Sequence, residues 1–232
     1  MTAPDPSRKL AALLRRLKGE HPAVAHTPLE AEGHDPLVLE FMYSFLAWEA
    51  GPAKAEPALR RLLAAVVDYN ELRVCLAEEM AAFVGERYPR ARERMARLKS
   101  ALNDLYRREH AVHLKPLLVL PKRDARQYVE SLDGVPGFVA ARVALLCLDG
   151  HAFPADDRIT AALREEQAAP PEGGADEVSS WLERQVHSGE AREAYLLVEA
   201  WLAARAPKPR ATERGAVKKP GKSSGGSRKA TR

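Results

Sequence analysis

The sequence has few cysteines and aromatic residues and no long apolar run. Its two cysteines, Cys75 and Cys147, both lie in apolar helical patterns, so we expect reduced thiols rather than a disulfide framework. No segment approaches the roughly 18 uninterrupted apolar residues of a membrane span, and the N-terminus lacks a signal-peptide core. These absences predict a soluble, cytoplasmic protein with no membrane partner.

Strict alternation of apolar and polar residues is also scarce, as are runs of β-branched residues. Ala, Leu, Arg and Glu dominate, with apolar residues three and four positions apart, so the sequence predicts an all-α protein. A chain of 232 residues can bury a core in one large helical domain or in two small lobes.

Charge is divided unevenly along the chain. Residues 207–232 contain nine Lys or Arg and one acidic residue, a net charge of +8, so residues 1–206 carry about −4 of the total of +4. The composition of residues 207–232 predicts a disordered basic tail, which either binds nucleic acid by counterion release or serves only to keep the protein in solution. Residues 1–206 form the predicted helical domain, which must attract nucleic acid, if at all, through a local patch or helix N-termini.

A glycine-bearing hairpin is the most distinctive motif, within about residues 124–148. A predicted helix, Asp124–Ser131, leads into Leu132–Gly137, and an apolar helix continues to Leu148. Gly134 and Gly137 permit backbone conformations that a side chain would block, and they leave amide groups uncovered at a helix start. Such amides can hold a phosphate.

A loop over residues 149–159 follows, with two acidic residues at its end. Pro154 stiffens this loop, and Asp156 or Asp157 is a natural N-cap for a helix that carries Ile159 on its apolar side. The capping carboxylate is therefore expected at a fixed distance from the hairpin.

This arrangement resembles the helix-hairpin-helix, Gly/Pro-rich loop and aspartate motif (HhH-GPD) of the endonuclease III superfamily of base-excision DNA glycosylases. The order of an N-terminal helix over Leu10–Leu17, then Asp35 and Pro36 opening an apolar helix, then the hairpin, is similar to that family across residues 9–206. The resemblance implies a two-lobed all-α fold whose cleft receives a base flipped from double-stranded DNA.

The resemblance also implies a site. The family aspartate corresponds to Asp156, or to Asp157 if Gly137 fills the role of the second hairpin glycine after a shift of one residue. The family lysine that forms a Schiff base falls on Phe138, or on Val139 in the shifted register, and neither side chain can do amine chemistry. Monofunctional hydrolysis without lyase activity is therefore expected.

DNA contacts are expected from the hairpin amides of Gly134, Val135 and Gly137. The side chains of Lys122 and Arg123, which precede the first hairpin helix, are expected to reach phosphates beside those amides.

Trp48 and Glu49 follow the helix that begins at Pro36, and they are candidates for the group that fills the space left by a flipped base. Glu49 falls at the family's glutamine position, and Trp48 is suited to wedging between or stacking on bases. The alternative is that Trp48 is a core edge and Glu49 a solvated helix end.

The family's four-cysteine iron–sulfur cluster is not expected, because both cysteines precede the aspartate helix. No metal or other cofactor is expected either. Two helices over Asp176–His187 and Glu190–Ala206 are predicted instead, packed beside the N-terminal helix.

Between the N-terminal region and the hairpin, three further helices are predicted over Lys54–Val67, Glu71–Ala82 and Tyr88–Arg108. Pro89 is expected in the first turn of the third helix, whose Arg, Glu and Lys residues are expected on a solvated face.

The function that the resemblance implies is recognition of a damaged or mispaired base and hydrolysis of its N-glycosidic bond, in the cytoplasm or on the nucleoid of a bacterium. One alternative is a non-catalytic DNA-binding relative that keeps the scaffold. Another is a helical protein-interaction domain, which would show acidic potential around the hairpin.

Overall fold

The computed structural model describes residues 5–21, 24–85 and 87–205, and these form helices without a β-strand. The predicted tail over residues 207–232 lies outside the described residues. One 3₁₀ helix covers Lys115–Val119, and the α-helices are α1 Pro6–Glu20, α2 Pro36–Ala47, α3 Pro52–Ala64, α4 Tyr69–Val74, α5 Ala77–Val84, α6 Ala91–Glu109, α7 Lys122–Glu130, α8 Gly137–Cys147, α9 Asp157–Glu165, α10 Ala175–Gln185 and α11 Ser188–Arg205. None of the described helices is long and apolar enough to cross a membrane.

Helices α2 and α8 form the centre of the core, since both are apolar on nearly every side and pack against each other. The Asp35 side chain accepts a hydrogen bond from the Leu37 amide, and Pro36 occupies the first turn, as the sequence predicted. Every residue of α2 after Pro36 is buried. A helix of this kind needs neighbours on all sides, and α3, α6 and α8 supply them.

The packing pairs divide the helices into two groups with a continuous hydrophobic core. Helices α2 to α8 pack among themselves, while α11 packs against α1 and α9, and α10 against α9. Contacts of α10 with α8 and of α11 with α3 and α8 join the groups. As predicted, α11 packs beside α1, whereas α10 packs against α8 and α9 instead. Tyr195 and Trp201 on α11 are buried.

A buried ion pair joins the two central helices. Arg142 on α8 donates to Glu40 on α2 over 3.0 Å and to the Ser44 hydroxyl over 2.9 Å. His26 approaches the other Glu40 oxygen at 3.2 Å. Burial alone would raise the pKa of Glu40, but the His26 hydrogen bond and the Arg142 charge outweigh it, so that pKa lies below its usual value.

Several predicted helices have other bounds than the observed ones. The predicted helix Glu71–Ala82 is two helices, because the chain turns at Cys75 and Leu76, both in extended conformations, before α5 begins. The predicted start of the third helix at Tyr88 was also wrong. Arg90 is left-handed with a φ of 51°, so α6 begins at Ala91 and Pro89 precedes the helix.

We expect Glu40→Gln to lower the free energy of unfolding by about 3–5 kcal/mol, because it leaves the buried Arg142 guanidinium without a countercharge. Urea denaturation measures this change. In the matched control Glu56→Gln, which breaks an exposed pair with Arg60, the loss should stay within about 1 kcal/mol. Equal losses in the two variants would contradict a structural role for the buried pair.

The stabilisation by Glu40 should also depend on pH. Because folding lowers the pKa of Glu40 from its usual 4.5, its contribution is complete above that pH and disappears as the pH falls through the folded-state pKa. The stability difference between the wild type and Glu40→Gln should therefore shrink in acid, and a difference that grows would contradict the assignment.

Candidate functional site

The hairpin lies between α7 and α8 and packs closely on α6. Gly134 has a φ of +80°, and a Cβ placed on it would lie 3.0 Å from the Arg97 carbonyl oxygen. Both the backbone angle and the close approach therefore require glycine. The Asp133 amide next to it donates to Asp104 on α6 over 3.0 Å, which fixes the hairpin against that helix.

The second hairpin glycine, Gly137, is the first residue of α8, after Pro136 as N-cap. Within the ranges that the structure describes, the amides of Gly134, Gly137 and Phe138 donate no hydrogen bond. The Val135 amide, which we also expected to contact DNA, donates to the Leu132 carbonyl over 3.3 Å instead. Free amides at a helix start carry partial positive charge and can bind an anion. The hairpin thus has the geometry of an anion site.

The structure identifies Asp156, rather than Asp157, as the residue that caps α9. One carboxylate oxygen of Asp156 accepts a hydrogen bond from the Ile159 amide over 3.0 Å. Asp157 is the first helical residue, and its side chain is exposed. The motif spacing that selects Asp156 therefore agrees with the local geometry.

The other oxygen of Asp156 is also occupied. It accepts from the Glu49 amide and from Nε of Arg158, each over 2.9 Å. The Asp156 side chain is 0% exposed. Arg158 in turn donates to Glu199 on α11 over 3.1 Å. Burial raises the pKa of Glu199, and the positive charge of Arg158 offsets only part of that effect.

Glu49 is bonded to the aspartate loop in both directions. Besides the bond from its amide to Asp156, its carboxylate accepts from the Asp157 amide over 2.9 Å, and its φ is 56°. Burial raises the pKa of Glu49, and the hydrogen bond from Asp157 offsets part of the effect. Glu49 is therefore neither a solvated helix end nor free to project into a duplex unless these bonds break.

Trp48 is half-buried beneath a cluster of arginines from the start of α6. The guanidinium carbons of Arg90, Arg97 and Arg94 lie 4.8, 5.5 and 5.9 Å from the centre of a Trp48 ring. Arg94 is buried and donates to the carbonyls of Trp48 and Pro89. The sequence interpretation of α6 as a solvated face missed this cluster, although the spacing of Arg94 and Arg97 places both on one face of the helix.

These elements surround an open cleft of about 750 Å³ between the two helix groups. Trp48, Arg90 and Arg97 line one side, and Asp157, Asp176 and Glu177 line the other, with the hairpin residues 135–138 also contributing. The walls thus carry opposite charge. The acidic side is the feature expected of the protein-interaction alternative, whereas the hairpin and the arginines favour a nucleic acid.

Phe138 and Val139, the two residues on which the resemblance places the lysine, are 2% and 0% exposed and belong to the core. The Phe138 ring leaves the cleft open rather than filling it. Hydrocarbon side chains offer no nucleophile at these positions.

Lys122 and Arg123 do not lie where we expected them. Both are exposed in the first turn of α7, because Pro121 is the N-cap and the helix starts earlier than the sequence indicated. The hairpin follows the opposite end of that helix, about 12 Å away at 1.5 Å per residue. Neither residue lines the cleft, whereas Arg90 and Arg97 do.

We expect Asp156→Asn to lower the free energy of unfolding by about 2 kcal/mol, because an amide cannot accept all three hydrogen bonds and loses the charge opposite Arg158. The control Asp157→Asn alters an exposed side chain and should change stability by less than about 0.5 kcal/mol. Urea denaturation of both variants tests this difference. Losses of similar size would show that the Asp156 contacts do not stabilise the fold.

Comparison with known proteins identifies similar structures only. No family model matches the sequence, and no curated protein gives a significant match. A trapped endonuclease III–DNA covalent intermediate aligns with a TM-score of 0.65 at 14% identity, covering 87% of this chain and 86% of that one.

Two further structures are a Clostridium acetobutylicum 8-oxoguanine glycosylase/lyase with double-stranded DNA and a thermostable thymine-DNA glycosylase. The first has a TM-score of 0.61 at 14% identity and covers 86% of this chain and 69% of that one. The second has a TM-score of 0.58 at 13% identity and covers 88% of this chain and 90% of that one. The resemblance in the motifs is thus confirmed at the level of structure: the chain has the all-α fold of the helix-hairpin-helix DNA glycosylases.

Proposed function

We propose that this protein acts in DNA repair, binding duplex DNA and hydrolysing the N-glycosidic bond of a damaged or mispaired base without lyase activity. One observation carries the proposal: a single open cleft is lined by the hairpin and by Asp156, the two parts that such chemistry needs. The similar endonuclease III and 8-oxoguanine glycosylase structures contain DNA, which supports DNA as the partner.

The cleft offers two kinds of contact to a DNA strand. The free amides of Gly137 and Phe138 can bind a phosphate at the start of α8. Arg90 and Arg97 can bind further phosphates on the other side, although each is paired in part with Glu93. The half-buried Trp48 between them offers an aromatic face to a base displaced from the stack.

In the proposed reaction, a water oxygen attacks the anomeric carbon of the sugar while the bond electrons leave with the base. Positive charge develops on the sugar, and the ionised Asp156 carboxylate would stabilise it. As the new bond forms, the attacking water gives up one proton to the departing base, so that the products are a sugar hydroxyl and a neutral base. The resemblance places the family lysine on Phe138 or Val139, and neither side chain supplies an amine for a covalent intermediate.

A second candidate function is non-catalytic DNA binding on the same scaffold. The observation that favours it is the state of Asp156, whose carboxylate is covered and already accepts hydrogen bonds from Ile159, Glu49 and Arg158. A carboxylate offers about four acceptor sites, so these bonds leave about one for a substrate. The catalytic function requires that the remaining acceptor site of Asp156 face the sugar, whereas non-catalytic DNA binding does not.

We expect purified protein to produce alkali-dependent strand breaks on at least one member of a panel of duplexes carrying damaged or mispaired bases. Asp156→Asn should lower the rate at least about 100-fold, because a neutral amide stabilises the developing charge poorly. Asp157→Asn should retain activity within about threefold, because its carboxylate does not cap α9 and is screened by solvent. Gel electrophoresis with and without alkali measures both.

Other results of the strand-break assay would contradict parts of the proposal. Breaks without alkali would contradict the absence of lyase chemistry. Loss of activity only in Asp157→Asn would transfer the role to that residue. Salt-sensitive duplex binding without breaks on any substrate would favour the non-catalytic candidate, and the absence of both breaks and binding would reject both functions.

A further inference from the structure

The carboxylate of Asp176 lies against the start of α8, where a DNA phosphate would bind the hairpin. Asp176 is in the first turn of α10, and a Cβ placed on Gly137 would lie 2.4 Å from its Oδ1 atom. Helices α8 and α10 are in contact, so the packing itself brings this acid to the hairpin. The same carboxylate lines the cleft beside Val135 and Pro136.

We propose that Asp176 is an intramolecular competitor of the DNA phosphate, which weakens binding at the hairpin and must move aside for DNA to bind. This inference rests on the proposed function for the location of DNA and adds a residue that limits affinity there. Free amides at a helix start produce a positive potential that favours an anion. A carboxylate close to them is stabilised by that potential, and its negative charge repels a phosphate.

The charge of Asp176 is not neutralised by its neighbours. In the described part of the chain, it forms no ion pair and accepts no hydrogen bond. Arg126, which lines a small cavity together with Asp176, is already paired with Glu130 over 2.7 Å and with Glu183 over 3.0 Å. Arg90 and Arg97, which line the cleft with Asp176, are each paired with Glu93. A negative charge therefore remains at the anion site.

The alternative is that Asp176 only stabilises the start of α10. An acidic residue in a first helical turn stabilises the helix, but α10 already has Glu177, whose carboxylate accepts from the Gly174 amide and closes that end. A structural role predicts that replacing Asp176 changes stability and leaves DNA affinity unchanged. Competition with phosphate predicts a gain in affinity.

The test is fluorescence anisotropy with a short labelled duplex and the full chain carrying Asp176→Asn. We expect the Kd at low salt to fall about fivefold to tenfold, since a like charge next to a bound phosphate is removed. The slope of log affinity against log salt concentration should become steeper by about one, as one more phosphate is accommodated.

The matched control is Glu190→Gln, which removes the same charge from the exposed first turn of α11, in the groove between α1 and α11. Its Kd should change less than about twofold, because solvent and salt screen a distant charge. Asp176→Ser provides a second side chain in case the amide bonds to the hairpin itself. Thermal melting confirms that each variant is folded.

A hairpin variant separates this inference from the proposed function. Val135→Asp places a new negative charge on the hairpin and should bind the duplex more weakly than the wild type does. When Asp176→Asn is added to Val135→Asp, the gain in DNA affinity should be less than about half of the gain that Asp176→Asn gives in the wild type. If Val135→Asp weakens duplex binding but Asp176→Asn changes the Kd no more than Glu190→Gln does, the competitor proposal is overturned and the proposed function stands. A gain that persists unchanged with Val135→Asp also overturns it, and no binding by any variant overturns both.

Discussion

The contacts of one carboxylate, that of Asp156, hold together the helix ends that surround the cleft. It caps α9 through the Ile159 amide, accepts the Glu49 amide that follows α2, and pairs with Arg158, which reaches Glu199 on α11. Glu49 returns a bond to the first amide of α9. Because these bonds cross from one helix group to the other, they set the relative position of the basic and acidic walls.

The contacts that stabilise the fold at Asp156 also limit the access of a substrate to its carboxylate. A residue that must stabilise a sugar cation needs an accessible, ionised carboxylate, whereas the stabilising bonds cover Asp156 and place a guanidinium beside it. The cleft charges show a similar opposition, since Arg90 and Arg97 attract a phosphate and Asp157 and Asp176 repel one. Under the proposed function, this cleft should therefore bind DNA more weakly than a uniformly basic surface would.

Local signals explain what the sequence predicted well. The N-cap at Asp35, the apolar helix after it, the hairpin glycines and the cap at Asp156 are each encoded within a few consecutive residues, and the structure has all of them. The break at Cys75 and Leu76 lay inside an apolar period that reads as one helix, and tertiary packing overrides such a pattern.

The missed site features depend on contacts between residues distant in sequence. Arg158 meets Glu199 from another helix, and Asp176 reaches the hairpin only because α10 packs on α8. The contact of Arg90, Arg94 and Arg97 with Trp48 could not be predicted from the sequence, because Trp48 lies more than 40 residues earlier in the chain. A pattern within one helix shows its faces, but the partner of each face is fixed by the fold.

Amide hydrogen exchange with and without a duplex tests whether DNA binds in this cleft at the hairpin. The amides of Gly134, Gly137 and Phe138 are free of internal hydrogen bonds to the described residues, so they should exchange rapidly alone and slow when a phosphate binds them. We expect protection over residues 133–139 together with the start of α6. Binding that protects neither segment would contradict binding of DNA at the hairpin.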